Sequence, residues 1–138
     1  MAKLDISDAY KHIRVRSEDW DLLGVIWITP EGQKQYYVDL TLPFGLRSSA
    51  KKFTDFAEAL AYIMRHNGVS HVEQYLDDFV TWAPTREECM ENLHIMLRMC
   101  EAVGFAVNPG KTVKPTTCLE YLGTGGSGSC MSGTASAS

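Results

Sequence analysis

Hydrophobic and polar positions alternate from the start of the chain: Leu4 and Ile6 flank Asp5, with Ser7 following, a strand pattern that begins almost at Met1. Two further strands are predicted over Leu22–Thr29 and Gln35–Leu42, joined by the turn signal Pro30-Glu31-Gly32. Leu42-Pro43-Phe44-Gly45 then breaks the extended run. Phe53, Phe56, Ala57, Leu60, Ile63 and Met64 recur at helical spacing behind Ser48 and Ser49, either of which offers an N-cap, and Asn67-Gly68 closes that helix. The runs His71–Tyr75 and Phe79–Ala83 are rich in Val, Tyr, Phe, Thr and Trp and read as a hairpin. Thr85-Arg86-Glu87-Glu88 is a capping box opening a second helix, with Cys89, Leu93, Met96, Leu97, Cys100 and Val103 on one face and Gly104 as its stop. A short strand over Phe105–Val107 and an extended piece around Cys118–Leu122 complete the ordered pattern.

Without the Leu22–Leu42 insertion, the order is βαββαβ, so the predicted fold is α+β, a ferredoxin-like arrangement carrying a β-hairpin insertion. In that topology the first strand lies beside a strand of the central hairpin. Asp5 and the Asp77-Asp78 pair are therefore expected to meet at one edge of the sheet. From Gly123 onward the chain is Gly, Ser, Thr and Ala with almost no bulk, which cannot offset its ordering entropy. The reading is a folded segment over 1–123 and a flexible Gly/Ser-rich tail over 124–138.

Asp77-Asp78 stands at the point where the hairpin is expected to turn. Two-residue turns favour Asn-Gly or Gly-containing pairs, because a central residue needs positive φ, and adjacent like charges repel. Aspartates are common in solvated turns, but a local rule broken inside an apolar hairpin points to function. Three carboxylates, Asp5, Asp77 and Asp78, suit a pair of Mg²⁺ ions, with Mn²⁺ as substitute, since Mg²⁺ binds through one or two carboxylates plus substrate phosphates. Two such ions about 3.5–4 Å apart can activate an attacking hydroxyl and stabilise a leaving phosphate oxygen.

Composition narrows this little. The 138 residues are one domain's worth, and 45% hydrophobic with 22% charged content is ordinary for a globular chain. A net charge of -4 argues mildly against non-specific nucleic-acid binding, less so if the acids sit on metal ions or basic surface lies elsewhere in a longer protein. The four cysteines show no CxxC pair, and Cys89 and Cys100 read as buried thiols on one helix face. No signal peptide or membrane span is evident, so the expected setting is intracellular, with no membrane partner.

Five phrases in order resemble the palm of a reverse transcriptase, an RNA-directed DNA polymerase of retroelements. They are Leu4-Asp5-Ile6-Ser7-Asp8-Ala9-Tyr10; Leu42-Pro43-Phe44-Gly45-Leu46; Tyr75-Leu76-Asp77-Asp78; Gly104-Phe105 through Asn108-Pro109-Gly110-Lys111; and Leu119-Glu120-Tyr121-Leu122-Gly123. The likeness covers roughly residues 2–123. Trp20 with Leu22-Leu23-Gly24, Tyr37-Val38-Asp39-Leu40 and Leu46-Arg47-Ser48 look most like the tyrosine-recombinase retroelements of the DIRS type.

The resemblance implies that Asp5, Asp77 and Asp78 are catalytic and hold the metals, Asp78 least directly. Asp8 and Ala9 would offer backbone amides to the incoming triphosphate. Tyr10 would sit under the sugar and exclude a 2′-hydroxyl; without the motif it reads as a strand-end aromatic. Phe44 and Gly45 would border nucleotide and template. Lys111 would lie near the leaving pyrophosphate, although a solvated turn lysine is the plain alternative. Apart from the resemblance, the cluster of Arg47, Lys51 and Lys52 at a helix N-terminus could attract phosphates by charge and dipole, with a solvated first turn as its alternative. Ala50 and Lys52 depart from the family, which usually has a proline and an apolar residue there. The implied partners are an RNA or DNA template with its primer, dNTPs, and the fingers and thumb of a parent polymerase, expected to be missing from a truncated palm. Two rivals remain: another palm enzyme, such as an RNA polymerase or a diguanylate cyclase, and a non-catalytic relic or scaffold module.

Overall fold

The structure, a computed structural model, describes residues 1–120 and 130–132. It divides into two units, one of Met1–Ser7 with the residues from Thr54 onward, the other of Asp8–Phe53. Their boundary falls inside helix α1, Arg47–His66.

The first unit is built on a three-stranded antiparallel sheet of β1 (Ala2–Asp5), β4 (Val72–Tyr75) and β5 (Asp78–Thr81), in the order β1-β5-β4. Leu4 is registered with Phe79 and Asp5 with Asp78. Helix α2 (Arg86–Val103) packs on this sheet. Its Asn92 donates to the Thr81 hydroxyl at 3.1 Å, which identifies the face of Ala2, Leu4, Phe79 and Thr81 as the helix side. Buried Leu4, Phe79, Leu93, Met96 and Cys100 supply its core. By strand alternation, Lys3, Asp5, Asp78 and Val80 lie on the other face.

The ferredoxin-like order is met at the second side of β1 as well, but not by a full strand. Ile6 bridges Val107 and Lys3 bridges Val113, both antiparallel. The predicted strand Phe105–Val107 is thus reduced to single bridges, because Asn108-Pro109-Gly110 turns the chain between them. The Asn108 side chain accepts the Gly110 amide at 3.0 Å, and proline has no amide to give to a ladder.

Both helix ends follow local chemistry. Thr85 caps α2 by accepting the Glu88 amide at 3.2 Å. Gly68 and Gly104 take left-handed φ at the C-termini, and Val69 and Phe105 donate back to Met64 and Cys100, the pattern of a Schellman stop. Neither Ser48 nor Ser49 caps α1: the helix already begins at Arg47, so both serines lie within its first turn. Among the expected core positions of α1, Phe56 is exposed and Ala61 is buried in addition.

In the second unit, β2 (Gly24–Ile28) and β3 (Lys34–Val38) form the expected hairpin, with β2 shorter at both ends and β3 starting one residue earlier and ending four residues sooner. Gly32 supplies the positive φ its turn requires. Every residue of both strands is exposed.

Cys118–Glu120 pairs as β6 with β7, Cys130–Ser132, inside the stretch expected to be a tail. The rest of that expected tail lies outside the described residues. Cys89 and Cys100 are buried thiols as expected; Cys118 is disulfide-bonded, which nothing in the sequence pattern anticipates. Among the described residues, no helix is long and apolar enough to cross a membrane.

Candidate active site

The hairpin does not turn on Asp77-Asp78. Tyr75 is registered with Asp78, so the two turn residues are Leu76 and Asp77, and Asp78 is the first residue of β5. The positive φ that a two-residue turn demands falls on Leu76, at 52°. A non-glycine residue held there carries strain of about 1–3 kcal/mol, typical of backbone over-determined near a functional site. This shift by one residue places Asp78 directly opposite Asp5. The Ile6 amide donates to the Asp77 carbonyl at 2.9 Å, which ties the turn to the end of β1. The acids meet at the ends of these strands rather than at a lateral edge, because the segment carrying Val107 and Val113 covers β1's other side.

Asp5 is only 4% exposed. Burial pushes its carboxyl above the ordinary value of 3.8. The Lys111 ammonium opposes the rise, while the negative charges of Asp77 and Asp78 add to it, as does the hydrogen bond a protonated Asp5 donates to Asp78. Lys111 Nζ stands 3.6 Å from Asp5 Oδ2. Its position follows from the backbone: Asn108 donates to the Asp5 carbonyl, and the Asn108 turn then returns the chain beside it. Lys3 Nζ reaches Asp78 Oδ2 at 2.9 Å along the same sheet face. The sequence reading passed over Lys3, although a lone cation two residues before Asp5 in an apolar strand was a usable signal.

In the second unit, Asp8 adopts a left-handed conformation with φ 47°, and a tight turn over Ala9–His12 follows. The Tyr10 ring meets Phe44 edge-on at 5.1 Å and Phe53 at 5.7 Å. Phe44 remains 66% exposed, and the Lys11 ammonium lies 5.8 Å above its ring. Lys11 pairs with Asp39, whose carboxyl is held below its ordinary value by that ammonium and by the Thr41 hydroxyl. Gly45 has φ 86°, with open space where a side chain would project.

The pattern of the reverse transcriptase (RNA-dependent DNA polymerase) family matches residues 1–125. The chain belongs to the reverse transcriptase family. It is 30% identical over 125 residues to the Pol polyprotein of Feline endogenous virus ECE1, covering 87% of this chain and 12% of that one. It is 26% identical over 121 residues to the Tf2-3 transposon polyprotein of Schizosaccharomyces pombe, covering 88% and 8%. Among solved structures, the foamy viral protease-reverse transcriptase in complex with RNA/DNA hybrid aligns with a TM-score of 0.74 at 21% identity, over 88% of this chain and 15% of that one. Native prototype foamy virus protease-reverse transcriptase gives 0.75 at 22%, over 96% and 16%. These structures share the fold, and the chain spans about a tenth of the two polyproteins' length. The narrower DIRS-type likeness is not confirmed by them.

Of the residues the sequence singled out in this reverse transcriptase segment, Asp5, Asp77, Asp78 and Lys111 lie together in the first unit, and Tyr10 and Phe44 touch in the second. Asp8, Ala9 and Gly45 fall in that second unit too. The donor chemistry at Asp5 fits a hard divalent cation: a buried carboxylate with like-charged, half-buried Asp77 and Asp78 near it, Asp78 close enough to share a proton. As the side chains stand, however, no group of three His, Cys, Asp or Glu among the described residues is arranged to hold a metal. The expected three-aspartate ligand set is therefore not assembled here. Asp77 stands in the turn rather than in the paired strand, and the Lys3 ammonium occupies one oxygen of Asp78.

Proposed function

We propose that this chain is palm-domain sequence of an RNA-directed DNA polymerase from a retroelement, extending a primer 3′-hydroxyl with dNTPs copied from an RNA or DNA template. The observation that carries the reading is the register of Asp5 against Asp78 with Asp77 in the adjoining turn, carboxylates from two stretches of chain that are distant in sequence.

Asp5, Asp77 and Asp78 would hold Mg²⁺, or Mn²⁺ in its place. When bound, such ions supply charge stabilisation and activation of the attacking hydroxyl. The raised Asp5 carboxyl supports this role: burial and two neighbouring acids make a cation welcome at that position. Lys111, beside Asp5 yet 64% exposed, is free to turn toward the leaving pyrophosphate and donate a proton there. Asp8 and Ala9 would present backbone amides to the triphosphate. Tyr10, braced by Phe44 and Phe53, would form a rigid floor beneath the sugar that leaves no room for a 2′-oxygen. Phe44 and Gly45 would border the base and template.

The isolated chain is expected to show little or no synthesis, since fingers and thumb supply the grip on template and primer. The decisive experiment replaces the matching segment of a foamy virus reverse transcriptase with residues 1–123. Mg²⁺-dependent primer extension by the chimera, lost on Asp5→Asn, supports the reading. A folded chimera that binds template-primer but never extends it would leave the second reading, a non-catalytic scaffold, which the unassembled ligand set favours.

A further inference from the structure

Lys3 is an unusual neighbour for a cation-binding carboxylate. It sits in β1 between β5 on one side and Val113 on the other, with its own amide and carbonyl both bonded to Val113 at 3.0 and 2.8 Å. Its backbone is therefore fixed on both flanks, and strand alternation aims its side chain to the same face as Asp5. It is registered with Val80, one diagonal step from the Asp5–Asp78 pair, which is the reach of a long side chain across two strands. Its side chain is 17% exposed and that of Asp78 18%, so the 2.9 Å contact is a partly buried ion pair rather than a surface encounter. Lysines are rarely covered to this extent unless paired.

Three carboxylates, Asp5, Asp77 and Asp78, face two ammonium groups, Lys3 and Lys111, leaving a formal charge of -1 in the cluster. The two lysines are not equivalent. Lys111 is mostly exposed and on a turn, able to leave; Lys3 is held by a strand and cannot follow.

Resting on the reading that the aspartates form a divalent-cation site, we propose that Lys3 is a positioning residue of that site. It is an internal counter-cation that fixes Asp78 and competes with a divalent ion for its carboxylate. The free site thus has low cation affinity, and loading depends on the phosphate oxygens of an incoming nucleotide, which Mg²⁺ commonly recruits to complete its shell.

The test is Mn²⁺ binding to the full 138-residue chain by calorimetry and by the loss of free-ion paramagnetic resonance signal, with unfolding followed in parallel. Lys3→Met should tighten Mn²⁺ binding by roughly tenfold, the effect of removing a unit charge about 6 Å from a divalent ion in a near-aqueous dielectric. Lys3→Arg keeps the pair and should stay within about twofold of the parent. Lys3→Gln serves if the Met variant does not fold. Binding that is lost in Asp5→Asn but unchanged or weaker in Lys3→Met overturns the role of Lys3 and leaves the cation site standing. Equal binding by parent and Asp5→Asn, or none by any variant, overturns the site and the proposal together. Binding that emerges only when Lys3 is removed supports the proposal directly. A purely structural lysine would move the unfolding midpoint without moving Mn²⁺ affinity.

Discussion

Asp5→Asn should make this protein more stable. Its carboxylate is 4% exposed, beside two like charges, and its raised carboxyl means that the folded state resists its ionisation. Asparagine keeps the shape, removes the buried charge and its repulsion from Asp77 and Asp78, and still donates a hydrogen bond. The change forfeits the Lys111 attraction, worth under ~1 kcal/mol for so exposed a lysine. The net gain is about 1–2 kcal/mol at pH 7, a magnitude within the usual range for single substitutions. For a chain of this size that is a rise in Tm of roughly 3–8 °C.

The pH dependence has a definite sign. Between 3.8 and the raised folded value, the folded parent holds a proton that the unfolded chain has released. Parent stability therefore increases as pH falls through that window. The advantage of the variant is full above the window and shrinks below it to the difference between two neutral side chains. Melting curves by circular dichroism in EDTA, from pH 7.5 down to 3.5, measure both effects. A variant less stable than the parent at pH 7, or an advantage that widens on acidification, would refute the idea of a folding-disfavoured carboxylate kept for chemistry.

Other outcomes follow from single contacts. Tyr10→Ala in the chimeric polymerase should raise ribonucleotide incorporation relative to deoxynucleotide by an order of magnitude or more, read by primer extension with each nucleotide alone; unchanged selectivity counts against its place beneath the sugar. Leu76→Asn should stabilise the fold by about 0.5–1 kcal/mol in urea titrations, because asparagine tolerates the left-handed backbone that leucine resists. Thr85→Ala should cost about 1 kcal/mol by the same titration, the loss of the hydroxyl that accepts the Glu88 amide. A loss under a few tenths would mean that the first turn of α2 has another cap.

Signals confined to a few neighbouring residues were legible in the chain. The capping box at Thr85, the glycine stops at Gly68 and Gly104 and most of the apolar stripe of each helix, Phe56 and Val103 being exposed, appear where periodicity put them, since each depends on contacts three or four residues apart. The βαββαβ order, the central hairpin and the meeting of Asp5 with the Asp77-Asp78 pair were also recoverable, because strand sequence and right-handed topology leave few alternatives.

The details of that meeting belong to tertiary structure alone. Two adjacent aspartates look like a turn from any local rule, yet register places one in the turn and the other in the strand, and loads the strain onto Leu76. Phe105–Val107 has strand composition, but the Asn108-Pro109-Gly110 turn allows it only single bridges. The sequence pattern assigned Lys3 no role. Only pairing across β5 shows it to be the partner of Asp78, because a sheet joins side chains 75 residues apart in sequence through a geometry that no local pattern encodes.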